Sequence, residues 1–107
     1  MHFKPEPTHY IKGILADLQG GWSCLRNEVV NKADKFPHEL VQRLIFHIDE
    51  GMSWESVRNL DKMKDAFLLI ANIIQQNPVD EEITHWVEDI QKTLADVLNA
   101  IKRGEII

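Results

Sequence analysis

The chain has 107 residues, a length that suits one domain with a modest core. Apolar residues make up 44%, too many for a disordered tail, and the formal net charge of −5 opposes non-specific attachment to nucleic acid. The lone cysteine, Cys24, excludes an internal disulfide and a cysteine-based zinc cluster, and no stretch approaches the roughly eighteen apolar residues of a membrane span.

The opening MHFKPEPTHY carries no apolar run that could serve as a secretory signal, so a soluble, cytoplasmic protein is expected. Residues 1–7 are expected to form a flexible N-terminal arm. The first helix is predicted to start near Thr8, a side chain suited to an N-cap. Ile11, Leu15, Leu18, Trp22, Leu25 and Val29 then recur at spacings of three and four, to about Lys32. The stripe keeps its phase across Gly20-Gly21, which favours one long helix, although two glycines each cost about 1 kcal/mol relative to alanine.

A second helix is predicted from Pro37 to Glu50, with Val41, Leu44, Ile45 and Ile48 on its core face and Gly51 as its stop. A third is predicted from Ser53 as N-cap to about Gln76, before Asn77-Pro78. Glu55 sits in its first turn, and Met52 and Val57 take the positions of a hydrophobic staple. The fourth starts at Asp80, with Glu81 and Glu82 in its first turn. Its stripe is Ile83, Trp86, Val87, Ile90, Leu94, Val97, Leu98 and Ile101, and Lys102, Arg103 and Gly104 close it. No hairpin signal occurs, and long helices with short joints imply antiparallel neighbours. The expected fold is all-α, an up-down antiparallel bundle of four long helices, or five if Gly20-Gly21 is a turn. It fills a single domain over 1–107, with residues 104–107 as a short tail.

Several local patterns point to chemistry. In HYIKG, residues 9–13, the periodicity places His9 and Gly13 away from the Ile11 stripe, one turn apart, with Lys12 near enough to neutralise an anion. This pattern resembles the signature of histidine phosphotransfer domains, which are small helical bundles. The resemblance implies His9 as phospho-acceptor, Lys12 as its electrostatic partner and Gly13 as the clearance for an approaching response-regulator domain. HELVQRL, residues 38–44, is similar to the phosphoacceptor box of sensor kinases, with an acid after His38 and an amide at Gln42. Arg43 and His47, one turn apart, resemble the arginine–histidine motif of the all-helical HEPN ribonucleases, one residue shorter in spacing. Their bland reading is an ion-pair ladder in which Glu39 neutralises Arg43.

Metal chemistry has two E-x-x-H candidates, Glu6–His9 and Glu82–His85, the spacing that carboxylate di-metal bundles use. Glu6 precedes Pro7, and His85 lies opposite the stripe of its helix, so no metal and no cofactor are expected. EGMSWESVRNL, residues 50–60, resembles the opening of a helix-turn-helix second helix but lacks the glycine turn and the basic balance. Ser23, Ser53 and Ser56 read as caps or surface, and Cys24 as a small buried hydrophobe.

The larger anomaly is surplus apolar surface. AFLLIANII, residues 66–74, is apolar nearly all round, whereas the core stripe needs only Leu60, Met63, Phe67, Ile70, Ala71 and Ile74. Leu69 and Ile73 are predicted to point away from that stripe, and Phe46 falls on the polar side of its helix among Glu39, Arg43 and Glu50. The fourth helix adds an acidic face through Asp80, Glu81, Glu82, Glu88 and Asp89. The leading expectation is a non-enzymatic adaptor, inhibitor or immunity-type regulator. It would dock Phe46, Leu69 and Ile73 on a protein partner or on a second copy of itself, with the acids steering association. Neither nucleic acid nor membrane is expected as a partner.

Overall fold

The structure is a computed structural model that describes the backbone of residues 5–104 and the side chains of residues 15–104. Four helices follow in order: α1 over Pro5–Asn31, α2 over His38–Ser56, α3 over Leu60–Gln76 and α4 over Glu81–Lys102. A single 3-10 turn, Ala33–Lys35, leads from α1 towards α2. Among the described residues there is no strand, and the helices pack as an all-α bundle. α1 lies against both α2 and α4, α2 lies against α3, and α3 and α4 touch least although a short joint connects them.

The first helix is unbroken. It begins at Pro5, so residues 5–7, expected in the arm, already belong to it. Gly20-Gly21 lies inside it, and the two glycines differ in use. A β-carbon at Gly20 would meet open space, whereas one at Gly21 would press on Ile90 of α4 at 3.0 Å. Gly21 therefore marks where α1 and α4 approach closely. Packing against a neighbour offsets the conformational cost that glycine imposes on an isolated helix.

The predicted boundary at Gly51 is overturned. α2 continues through Gly51 to Ser56, and Ser53 lies in its last turn rather than at an N-cap. Gly51 is there for space: a β-carbon on it would overlap the six-membered ring of Trp22, which is fully buried. The missing side chain lets the indole of α1 lie against α2, with its ring edge-on to Phe67 of α3 at 6.4 Å between centroids. The chain instead turns at Val57, Arg58 and Asn59. There the Arg58 N–H donates to the Glu55 carbonyl at 2.9 Å and the Asn59 N–H to the Trp54 carbonyl at 2.9 Å. This is the paired closure of a Schellman motif, with Arg58 at φ 60 in the left-handed position that glycine usually takes. Asn59 then caps α3, its side-chain oxygen accepting from the Lys62 N–H at 3.1 Å.

The last helix follows the expectation at both ends. Asp80 is the N-cap and accepts from the Glu82 N–H at 2.9 Å. At the other end Gly104, at φ 86, donates to the Ile101 carbonyl. The buried side chains form one cluster. α1 contributes Leu15, Leu18, Trp22, Leu25 and Val29, and α4 contributes Ile83, Val87, Ile90, Leu94 and Val97. Ile101, placed on the α4 stripe by its spacing, is 42% exposed at the edge of a depression it shares with Leu98 and the α2–α3 corner. On α2 the core face is rotated slightly from the expectation: Leu40 is buried, while Val41 and Ile45 are half-buried at its edge.

Candidate interaction surface

Phe46 stands on α2 directly opposite the Leu44 and Ile48 core face and is 64% exposed. A helix repeats every 3.6 residues, so Phe46, two residues from each of those anchors, is thrown to the far side. Its ring meets the imidazole of His47 edge-on, 5.2 Å between centroids. Shallow depressions flank it. One is lined by Glu39, Gln42, Arg43 and His47, the other by Asp49, Glu50, Ser53 and Trp54. Among the described residues Phe46 is the one aromatic side chain that is exposed rather than buried or half-buried.

The charged groups round Phe46 are arranged unevenly. Asp49 is held by Arg26 of α1, Oδ1 to Nε at 2.7 Å, which ties α2 to α1. His47 Nδ1 lies 3.1 Å from Glu50 Oε1. The expected Glu39–Arg43 pair does not form, and Arg43 takes part in no ion pair among the described residues. Arg43 and His47 do share a depression, as their spacing requires, but the imidazole is turned to Glu50.

On α3 the expectations divide. Leu69 is 47% exposed, as its phase requires. Ile73 is buried, and its assignment to the binding surface is corrected. The main neighbour of α3 is α2, and that contact turns the buried arc so that Ala66 and Ile73 join it, while Ala71 and Ile74 of the expected stripe are half-buried at its edge. The uncovered side is the one towards α4, where Leu68 is 52% exposed beside a groove lined by Lys64, Phe67, Leu94, Ala95 and Leu98. Sequence reasoning missed Leu68. The all-round apolar run was the available signal, but the run does not say which neighbour stays away.

The five acids assigned to one face do not form one. Lys32, at the end of α1, puts its ammonium 2.9 Å from Glu82, 3.0 Å from Asp80 and 3.0 Å from Glu28. Burial works against the charge on Lys32, but the hydrogen bonds to Glu82, Asp80 and Glu28 outweigh it and raise the lysine above its ordinary pKa. The Glu82 backbone N–H and then the Lys32 ammonium hold the Asp80 carboxyl below its ordinary value. Asp80 and Glu82 thus fasten the start of α4 to the end of α1. Asp89 is half-buried on the side facing Gly21 of α1. Glu81 and Glu88 alone of the five are exposed without an internal partner.

The remaining candidates are placed as follows. His9, Lys12 and Gly13 lie on the first turns of α1, and their side chains are outside the described residues. Glu82 of the second E-x-x-H pair is engaged by Lys32, and His85 is exposed with its ring 5.4 Å from that of Trp86. Among the described residues no three His, Cys, Asp or Glu side chains converge as a metal site. No helix among them is long and apolar enough to cross a membrane. EGMSWESVRNL spans the end of α2, the turn and the first residue of α3. Cys24 is half-buried. No protein-family model, no curated protein and no solved structure matches the chain, so its own residues carry the functional reading.

Proposed function

We propose that the chain is a non-enzymatic protein-interaction module, an adaptor, inhibitor or immunity-type regulator, that docks the outer face of α2 on a protein partner. One observation carries the reading: Phe46 is 64% exposed in the middle of a helix whose core face is already complete. Burying such a ring contributes roughly 1.5–3 kcal/mol, and an aromatic anchor ringed by polar groups is the common anatomy of a binding hot spot. Arg43, unpaired and one turn from Phe46, adds a guanidinium ready for a carboxylate of the partner. Leu69 enlarges the apolar area, and Glu81 and Glu88 contribute to steering from α4.

The test compares the wild type with Phe46→Asp in quantitative capture from cell extract and in solution mass, with helicity checked by circular dichroism. Selective loss of a captured protein, or of a homodimer, in a variant of unchanged helicity is expected. A monomeric wild type whose captured set is the same as that of the variant would falsify the reading.

A further inference from the structure

We infer that the α2–α3 corner is a hinge that opens, so that two copies of this chain exchange halves and form a dimer. The inference goes beyond the Phe46 reading and uses none of its residues. Three observations carry it.

The corner consists of Val57, Arg58 and Asn59, and Arg58 is the one non-glycine residue among those described with positive φ. A branched or long side chain in that conformation is strained. Opening the corner into helix releases the strain.

What holds it closed is specific. Glu55 is the one buried charged residue of the described chain, 3% exposed, and the Arg58 guanidinium closes on its carboxylate. The same Nη1 donates to the Glu55 carbonyl at 3.3 Å. Arginine occupies the glycine position because a buried carboxylate needs its charge, so the closed corner balances an ion pair against backbone strain.

Nothing in the sequence near the corner stops a helix. From Met52 to Asn77 there is neither glycine nor proline. Val57, 65% exposed in the closed form, shares a face with Lys64 and Leu68 once the helix is continuous. Residues 38–76 would then form one rod of roughly 58 Å. The α1–α2 half of one copy would pack on the α3–α4 half of the other and rebuild both large interfaces, α2 on α3 and α1 on α4. The two Val57 side chains would meet near the two-fold axis, where the rods cross.

The experiment refolds the protein from urea at high concentration and measures the dimer by light scattering. Two variants share the change Glu55→Gln, which removes the ion pair. One adds Arg58→Ala and the other Arg58→Gly. Alanine is strained in the closed corner and favoured in the open helix, and glycine is the reverse, so the alanine variant should yield on the order of tenfold more dimer. The wild type with two glycines inserted after Arg58 keeps Glu55 paired and should yield less dimer than the unmodified chain.

Spin labels on Gln42→Cys and Gln75→Cys, in a Cys24→Ser background and diluted with unlabelled chain, report exchange itself. The two sites lie at the same end of the closed hairpin and about 50 Å apart within an opened chain. Dimers that show the long separation support the hinge. Monomers throughout, equal yields from the alanine and glycine variants, or dimers without the long separation overturn it. Dimers that disappear in Phe46→Asp but keep the short separation would instead belong to the α2 surface.

Discussion

The two joints that flank α3 do the same mechanical work with different chemistry. Between α3 and α4 the chain passes through Asn77, Pro78, Val79 and Asp80. Proline cannot continue a helix and aspartate starts one, so every instruction is local. Between α2 and α3 the turning residue is an arginine in the left-handed region, held there by a carboxylate that burial makes dependent on it. The first joint turns by breaking and capping, and Lys32 then fastens its Asp80 to the end of α1. The second works because the surrounding bundle buries Glu55. A joint written in capping and breaking residues is robust, and a joint written in an ion pair can be opened.

The largest expected effect tests whether Gly51 is a notch for Trp22. Gly51→Ala should destabilise the fold by about 2–3 kcal/mol in urea unfolding, because the added methyl presses on the enclosed ring of Trp22. Gly20→Ala, in open space, should stabilise by up to about 1 kcal/mol. If Gly51→Ala instead stabilises, Trp22 does not press on that position and the helix propensity of alanine decides the outcome.

Next in size is Arg58→Ala, which strands the Glu55 carboxylate. A loss of about 2 kcal/mol is expected, below the usual cost of breaking a buried pair because half of the arginine side chain is in water. Glu55→Gln/Arg58→Ala should recover part of it. Equal stability of the single and double variants would mean that the ion pair does not hold the corner.

The smallest effect concerns the other joint and appears only in acid. The lowered pKa of Asp80 means that its contribution is complete above the ordinary aspartate pKa. That contribution is lost as pH falls through the lowered value. Asp80→Asn keeps a capping oxygen but cannot titrate, so its unfolding midpoint should fall less steeply than that of the wild type between about pH 5 and pH 2. Lys32, raised in pKa, contributes below the ordinary lysine value and loses its contribution only as pH climbs through the raised one, so it adds no slope in acid. Parallel acid profiles for the two proteins would show that the Asp80 carboxylate is not part of the fastening.

The candidate surface was legible to the extent that helix phase alone decides it. Phe46 and Leu69 are exposed because their angular positions oppose the core stripes of their own helices. Asp80 and Glu82 could not be assigned in that way. Their partner, Lys32, lies on another helix, and nothing in the α4 pattern announces it. The burial of Ile73 and the exposure of Leu68 escaped the pattern for the same kind of reason.

The sequence by itself determined that the chain is all helix and that α4 begins at Asp80 and ends before Gly104, while it left the double glycine of α1 open between a helix and a turn. Those features rest on spacings of three and four residues and on caps that act within one turn. Only the tertiary structure decided where α2 ends, which flank of α3 is covered and which acids are already paired. Each of these depends on a side chain that arrives from far along the chain: Trp22 over Gly51, α2 over Ile73, and Lys32 between Asp80 and Glu82.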